Sequence, residues 1–212
     1  MQHEPTKYQI PYSINLNNTE FQNTVDKLVN EHDFTEIVET GTYNGLGSTQ
    51  VFAKTNKYVF SIECNYNNFL NASKNLAMYD NVCVIHGLSL NRNALITALL
   101  EEEFDLDTTY DSKHPKSFYM REISQTVVVE NALELFCKNK RKQLVFLDSA
   151  GGVGYLEFKS FMSIGDAYLE NKILMLDDIN HIKHKRSVEF LLKEGHEVSI
   201  SKDNRFAWCI FK

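Results

Sequence analysis

Acids, glycines and hydroxyls recur in this sequence where short apolar runs stop. The first such place reads Ile37-Val-Glu-Thr-Gly-Thr-Tyr-Asn-Gly-Leu-Gly-Ser48. Gly41, Gly45 and Gly47 would permit a tight turn and close approach of the backbone to a ligand. The helix expected after them would turn its free N–H groups toward that ligand. Glu39 puts a carboxylate just before the turn. That charge would repel a pyrophosphate and suits a cationic ligand. A spaced-glycine loop also makes an ordinary strand–helix turn, so alone it has little specificity. The second place is Ser61-Ile-Glu63. An acid about 20 residues after such a loop is positioned for a ribose diol, and the plain alternative is a solvated strand-end carboxylate. The third is Ile85-His-Gly-Leu-Ser89, where Gly87 would let a planar base approach and Ser89 could hydrogen-bond it. His86 reads more simply as a strand-end histidine with a local partner.

Two further run ends carry a cluster of acids. Phe146-Leu-Asp148-Ser-Ala-Gly151-Gly152 supplies Asp148, and Leu176-Asp177-Asp178-Ile-Asn180 supplies an adjacent pair. Asp148, Asp177 and Asp178 are hard oxygen donors that suit Mg²⁺ or Ca²⁺, and crowded carboxylates repel one another without a cation. The alternative is that one or two of them cap the next helices. His181 and His184, in His181-Ile-Lys-His-Lys-Arg186, could accept a proton. The same segment also reads as a solvated basic helix start, or as a lure for an acidic substrate group.

These residues need elements to hold them. Phe21, Val25, Leu28 and Val29 recur at helical spacing, so 18–32 is expected to be an amphipathic helix with Thr19 as its N-cap. Strands are expected at 36–39, 57–63, 82–85, 143–147 and 172–176, with helices at 46–55, 67–79, 90–102, 123–138, 153–168 and 182–193. That alternation predicts a parallel sheet covered by helices on both faces. His196–Ser201 and Arg205–Phe211 flank Lys202-Asp203-Asn204, too short a link for a crossover helix, so they are expected to form an antiparallel hairpin. The whole is an α/β fold with a seven-stranded, mostly parallel sheet. In such sheets ligands bind at the carboxyl ends of the strands near the switch in strand order, which would bring the acids into one cleft. Residues 104–121 are long for a connection; Tyr110, His114, Phe118 and Tyr119 would make either a lid over an acceptor pocket or a surface loop.

Composition bounds the rest. The chain has 212 residues, 43% hydrophobic and 24% charged, which excludes a coiled coil, a collagen and a disordered chain. No apolar run approaches the roughly 20 residues that span a bilayer, and no secretory signal is visible, so no membrane partner and a cytoplasmic location are expected. A net charge of -6 disfavours nucleic acid as a partner. Cys64, Cys83, Cys137 and Cys209 form no CxxC pair and are read as buried thiols in a reducing compartment.

The ordered set IVETGTYNGLGS, SIECN, IHGLS, VFLDS and LMLDDI resembles the class I S-adenosylmethionine-dependent methyltransferases. It is most similar to the catechol O-methyltransferase-like group, and more loosely to the macrocin O-methyltransferase and cephalosporin hydroxylase type. The resemblance covers roughly residues 35–212, with 1–34 as an arm and helix packed on the core. It implies a Rossmann-like methyltransferase fold, S-adenosylmethionine as cofactor, Mg²⁺, and a small-molecule acceptor; it also allows a homodimer. By resemblance, Glu39, Gly41 and Tyr43 line the methionine end with Gly45 and Ser48; Glu63 holds the ribose; Gly87 and Ser89 meet the adenine. Asp148, Asp177 and Asp178 fall on the metal-ligand positions, with Asp178 where that group usually has Asn. Asp148 and His181 are the catalytic candidates, and Asp148 is also a candidate cofactor contact. The loop carries an extra residue, and the family's catalytic lysine, three positions after the first metal Asp, is here Gly151. Two other functions fit less well: a nicotinamide-dependent oxidoreductase, disfavoured by the hairpin, by Glu39 and by the absence of GxGxxG spacing, and a non-catalytic cofactor-binding subunit.

Overall fold

A computed structural model describes residues 18–100 and 116–211. The element order is α1 (Thr19–Glu31), β1 (Glu36–Thr40), α2 (Ser48–Ala53), β2 (Tyr58–Glu63), α3 (Tyr66–Asn75), β3 (Val82–His86), α4 (Arg92–Leu100), α5 (Lys116–Ile123), α6 (Ala132–Cys137), β4 (Gln143–Leu147), α7 (Gly152–Met162), α8 (Asp166–Leu169), β5 (Lys172–Leu176), α9 (Lys185–Lys193), β6 (Val198–Ile200) and β7 (Ala207–Ile210). The strands form one sheet in the order β3-β2-β1-β4-β5-β7-β6. β1 to β5 pair in parallel, and β7 runs antiparallel between β5 and β6. Strand order reverses between β1 and β4, and the run-end acids of both strands stand at that switch.

β4 and β5 are buried along their whole length, because both faces are covered. Successive side chains alternate between two cores. Leu144 and Phe146 pack with Ile37, Ile173 and Met175 against Phe21, Val25 and Leu28 of α1 and Phe52 of α2. Val145 and Leu147 pack with Val38, Leu174 and Leu176 against Leu133 of α6, Phe158 and Phe161 of α7 and Leu191 of α9. Phe21 lies 5.4 Å from both Phe146 and Phe206 and 5.7 Å from Phe52, ring centre to ring centre, so α1 is part of the core.

Several local expectations are corrected. The N-cap of α1 is Asn18, whose side chain accepts from the Phe21 N–H at 2.9 Å; Thr19 is already helical. The helix expected over 123–138 is two shorter helices, α5 ending at Ile123 and α6 starting at Ala132. Between them Val127, Val128 and Val129 prefer extended backbone. They run beside the end of β3, with Val128 N donating to His86 O and Leu88 N to Val129 O. The helix expected over 153–168 breaks at Gly165 into α7 and α8. Cys137 and Cys209 are buried, but Cys83 is exposed on the edge strand β3. Residues 101–115, with Tyr110 and His114, lie outside the described residues, whereas Phe118 and Tyr119 belong to α5. Among the described residues no helix is long and apolar enough to cross a membrane.

Candidate active site

Two buried glutamates hold the switch point together. Glu39, at the end of β1, accepts from the hydroxyls of Ser48, Thr49 (2.6 Å) and Ser61 (2.6 Å). Ser48 and Thr49 open α2, so Glu39 pins the loop and the start of that helix to β2. Burial pushes its carboxyl pKa up, and the three hydroxyl donors partly offset this. Glu157 of α7 was not singled out in the sequence, and it is fully buried. It accepts from Thr40 Oγ1 at 2.8 Å and Ser149 Oγ at 2.6 Å, and it hydrogen-bonds Ser89. It thereby joins the ends of β1 and β4 to the loop after β3.

Glu63 clasps the loops after β1 and β2. Its Oε2 accepts from the Tyr43 N–H at 2.7 Å and its Oε1 from the Asn65 N–H at 2.8 Å. Burial raises its pKa to about 7 against these two bonds, and repulsion from Glu122 adds to the rise. The Tyr43 and Leu46 side chains stay exposed on the loop after β1, and Tyr66 is exposed at the start of α3. Gly41 has φ +81°, and a side chain on it would run into the Asp148 backbone carbonyl. This glycine lets the β1 loop lie directly on the β4 loop. Gly45 N donates to Thr42 O at 3.0 Å and closes the turn. Gly87 lies against the Val129 backbone, where a Cβ would come within 2.9 Å of its carbonyl oxygen.

The aspartates do converge. Carboxylate oxygens of Asp148, Asp177 and Asp178 lie within 4.8 Å of one another. Two cations already sit among them. Lys183 Nζ is 2.5 Å from Asp148 Oδ1, 3.0 Å from Asp178 Oδ2 and 3.9 Å from Asp177 Oδ2. Arg205 clamps Asp177 with two bonds of 3.1 and 3.2 Å and reaches Asp178 Oδ1 at 3.5 Å. The side chains of Lys183 and Asp177 are 7% and 1% exposed, and that of Asp178 is 27% exposed. Burial alone would push the Lys183 pKa down. Asp148, Asp178 and Asp177 outweigh it and hold the ammonium charged. The oxygen donors suit Mg²⁺, but their arrangement does not: a divalent ion would have to displace a buried ammonium that already bonds them.

The remaining candidates separate. His184 is fully buried; its Nε2 is 3.0 Å from Leu147 O and its Nδ1 is 3.2 Å from Ser187 Oγ. Burial, with the charge of Lys183, pushes its pKa to about 3, so it stays neutral and braces the segment. His181 is half-buried and accepts from the Lys183 N–H at 3.3 Å through Nδ1. At Gly151, φ is +50° and the Tyr119 hydroxyl fills the space a side chain would need. A lysine at that position would be both strained and blocked. Lys183 and Arg205 were missed in the sequence because each lies among other charged residues with no distinguishing spacing.

No protein-family model matches the chain, and no curated protein matches it. Solved structures do. An O-methyltransferase from Bacillus cereus in complex with SAH is 13% identical, with a TM-score of 0.55 over 95% of this chain and 84% of the other. A Staphylococcus aureus protein described as a caffeoyl-CoA O-methyltransferase is 16% identical, with a TM-score of 0.53 over 90% of this chain and 82% of the other. At such identity the likeness establishes the fold alone: a Rossmann-like, mostly parallel sheet with a C-terminal antiparallel hairpin, shared with these methyltransferases.

Proposed function

We propose that this chain is an S-adenosylmethionine-dependent O-methyltransferase acting on a hydroxyl of a small molecule such as a sugar, a polyol or a phenol. The observation that carries the reading is the switch point itself. There Glu63 clasps two loops beside an acidic β4–β5 edge, within a sheet whose β7 lies between β5 and β6. Beyond the Tyr43 and Asn65 N–H groups and the Asn68 side chain that it bonds, Glu63 keeps acceptor capacity for a ribose hydroxyl. The exposed Tyr43 ring and the turn at Gly41 and Gly45 flank it on the methionine side, and Gly87 and Ser89 border the adenine side. Glu39 and Ser48 act here through loop position, since their polar atoms already bond each other.

When bound, S-adenosylmethionine supplies a methyl group on an activated, cationic sulfonium. The chain must then hold an acceptor oxygen in line with that methyl and exclude water. Asp148 and His181 are our candidates to take the acceptor's proton. Lys183 and Arg205 carry two positive charges against three aspartates, and this leaves an acidic edge that suits a sulfonium. Lys183 already fills the aspartate triad, so these groups act beside an ammonium.

The test is calorimetric titration with S-adenosylmethionine and with NAD, followed by transfer of a labelled methyl to a panel of hydroxylated acceptors. Binding of the first, not the second, together with transfer is expected. NAD binding without S-adenosylmethionine binding would sink the reading. Tight cofactor binding with no transfer to any acceptor would favour a non-catalytic subunit, which the blocked lysine position at Gly151 keeps in view.

A further inference from the structure

We infer that Lys183 is the built-in cation of the Asp148–Asp177–Asp178 cluster and stands in the place of a divalent metal ion. Three observations carry this. The first is position: the ammonium lies within 3.9 Å of all three carboxylates, the space an ion shared by them would use. The second is the path of its stem. A side chain on Gly154 of α7 would collide with Lys183 Cγ, so α7 carries no side chain where the lysine passes. The third is the fate of Asp177, whose two oxygens are both held by Arg205 and which has little left to offer an ion.

The charge count follows from these contacts. Counted with every group ionised, three carboxylates face one ammonium and one guanidinium, a balance of minus one; burial and the neighbouring acids push the Asp148 carboxyl up, and the Lys183 ammonium opposes this. A divalent ion bound beside them would leave an excess of positive charge. Without Lys183, three carboxylates would face only Arg205. A cluster with two unneutralised acids in a buried setting draws a hard cation. Lys183 therefore makes the cluster self-sufficient, and its removal uncovers a metal site. The inference does not depend on methyl transfer, because its readout is ion binding.

The experiment is thermal unfolding and calorimetric titration of the full chain with Mg²⁺ and with Mn²⁺, after treatment with a chelator. For the wild-type protein the midpoint is expected to be unchanged by either ion and by the chelator. For Lys183→Met, a saturating ion concentration is expected to raise the midpoint by about 5 °C or more. The rise should vanish in Lys183→Met/Asp148→Asn. A wild-type rise that Asp148→Asn removes would overturn the inference, as would a folded Lys183→Met protein that ignores both ions. If Lys183→Met does not fold, Lys183→Gln takes its place, and the wild-type titration decides by itself whether the cluster already binds metal. Failure to bind S-adenosylmethionine would count against the proposed function alone.

Discussion

Replacing Glu63 by Gln should remove a defined piece of pH dependence. Burial raises the folded-state pKa of Glu63 from 4.5 to about 7, with two backbone N–H bonds opposing the rise and Glu122 adding to it. The raised value means that the folded protein holds this proton more tightly than the unfolded chain does. The associated stability is fully present below pH 4.5 and is lost as pH rises through 7. At 1.36 kcal/mol per pKa unit, the loss between pH 5 and pH 8 is about 2–3 kcal/mol. Glu63→Gln cannot ionise, so its stability should be flatter by that amount. It should start lower at pH 5 by about 1–2 kcal/mol, because its NH₂ group faces either the Tyr43 or the Asn65 N–H. Urea denaturation of both proteins at pH 5, 6, 7 and 8 measures the difference directly. Under the proposed function, ribose hydroxyls donate to the ionised carboxylate, so S-adenosylmethionine affinity should climb from pH 6 to pH 8 in the wild type and not in Glu63→Gln. Parallel stability curves for the two proteins would refute the reasoning, since the desolvation of Glu63 would then be absent.

Other substitutions test the neighbouring contacts. Arg205→Met leaves the buried Asp177 carboxylate without its clamp and should cost about 3 kcal/mol or more in urea denaturation, with Arg205→Lys intermediate. Gly151→Ala combines a positive φ with collision against the Tyr119 hydroxyl and should cost about 2 kcal/mol or more. Part of that loss should return in Gly151→Ala/Tyr119→Phe; no recovery would mean that the collision is not the cause. Gly154→Ala should cost about 1–3 kcal/mol, and the loss should shrink in a Lys183→Ala background if the lysine stem is the obstacle.

The placement of the acids was largely legible in the sequence, and their partners were not. Apolar runs ending in Glu39, Glu63, Asp148 and the Asp177–Asp178 pair, with a fifth ending in His86, sufficed to anticipate five parallel strands, four of them with acids at one edge, because burial of both faces and the turns that follow are local signals. The short link at Lys202-Asp203-Asn204 was likewise enough for the hairpin. The stretch from 123 to 138 was misjudged because helix-compatible residues flank a valine run whose extended form is settled by pairing with the end of β3.

What the sequence alone determined is therefore an α/β sheet with a carboxylate-rich edge. What only the tertiary structure decided is how that edge is neutralised. Lys183 meets Asp148 across 35 positions of chain, and Arg205 meets Asp177 across 28. Long, flexible side chains can point many ways from the loops that carry Lys183 and Arg205, and desolvation gives charges their strong preference for a partner only once the core has closed around them. The acids suggested a metal, and the folded chain supplied a lysine instead, through a gap left by Gly154.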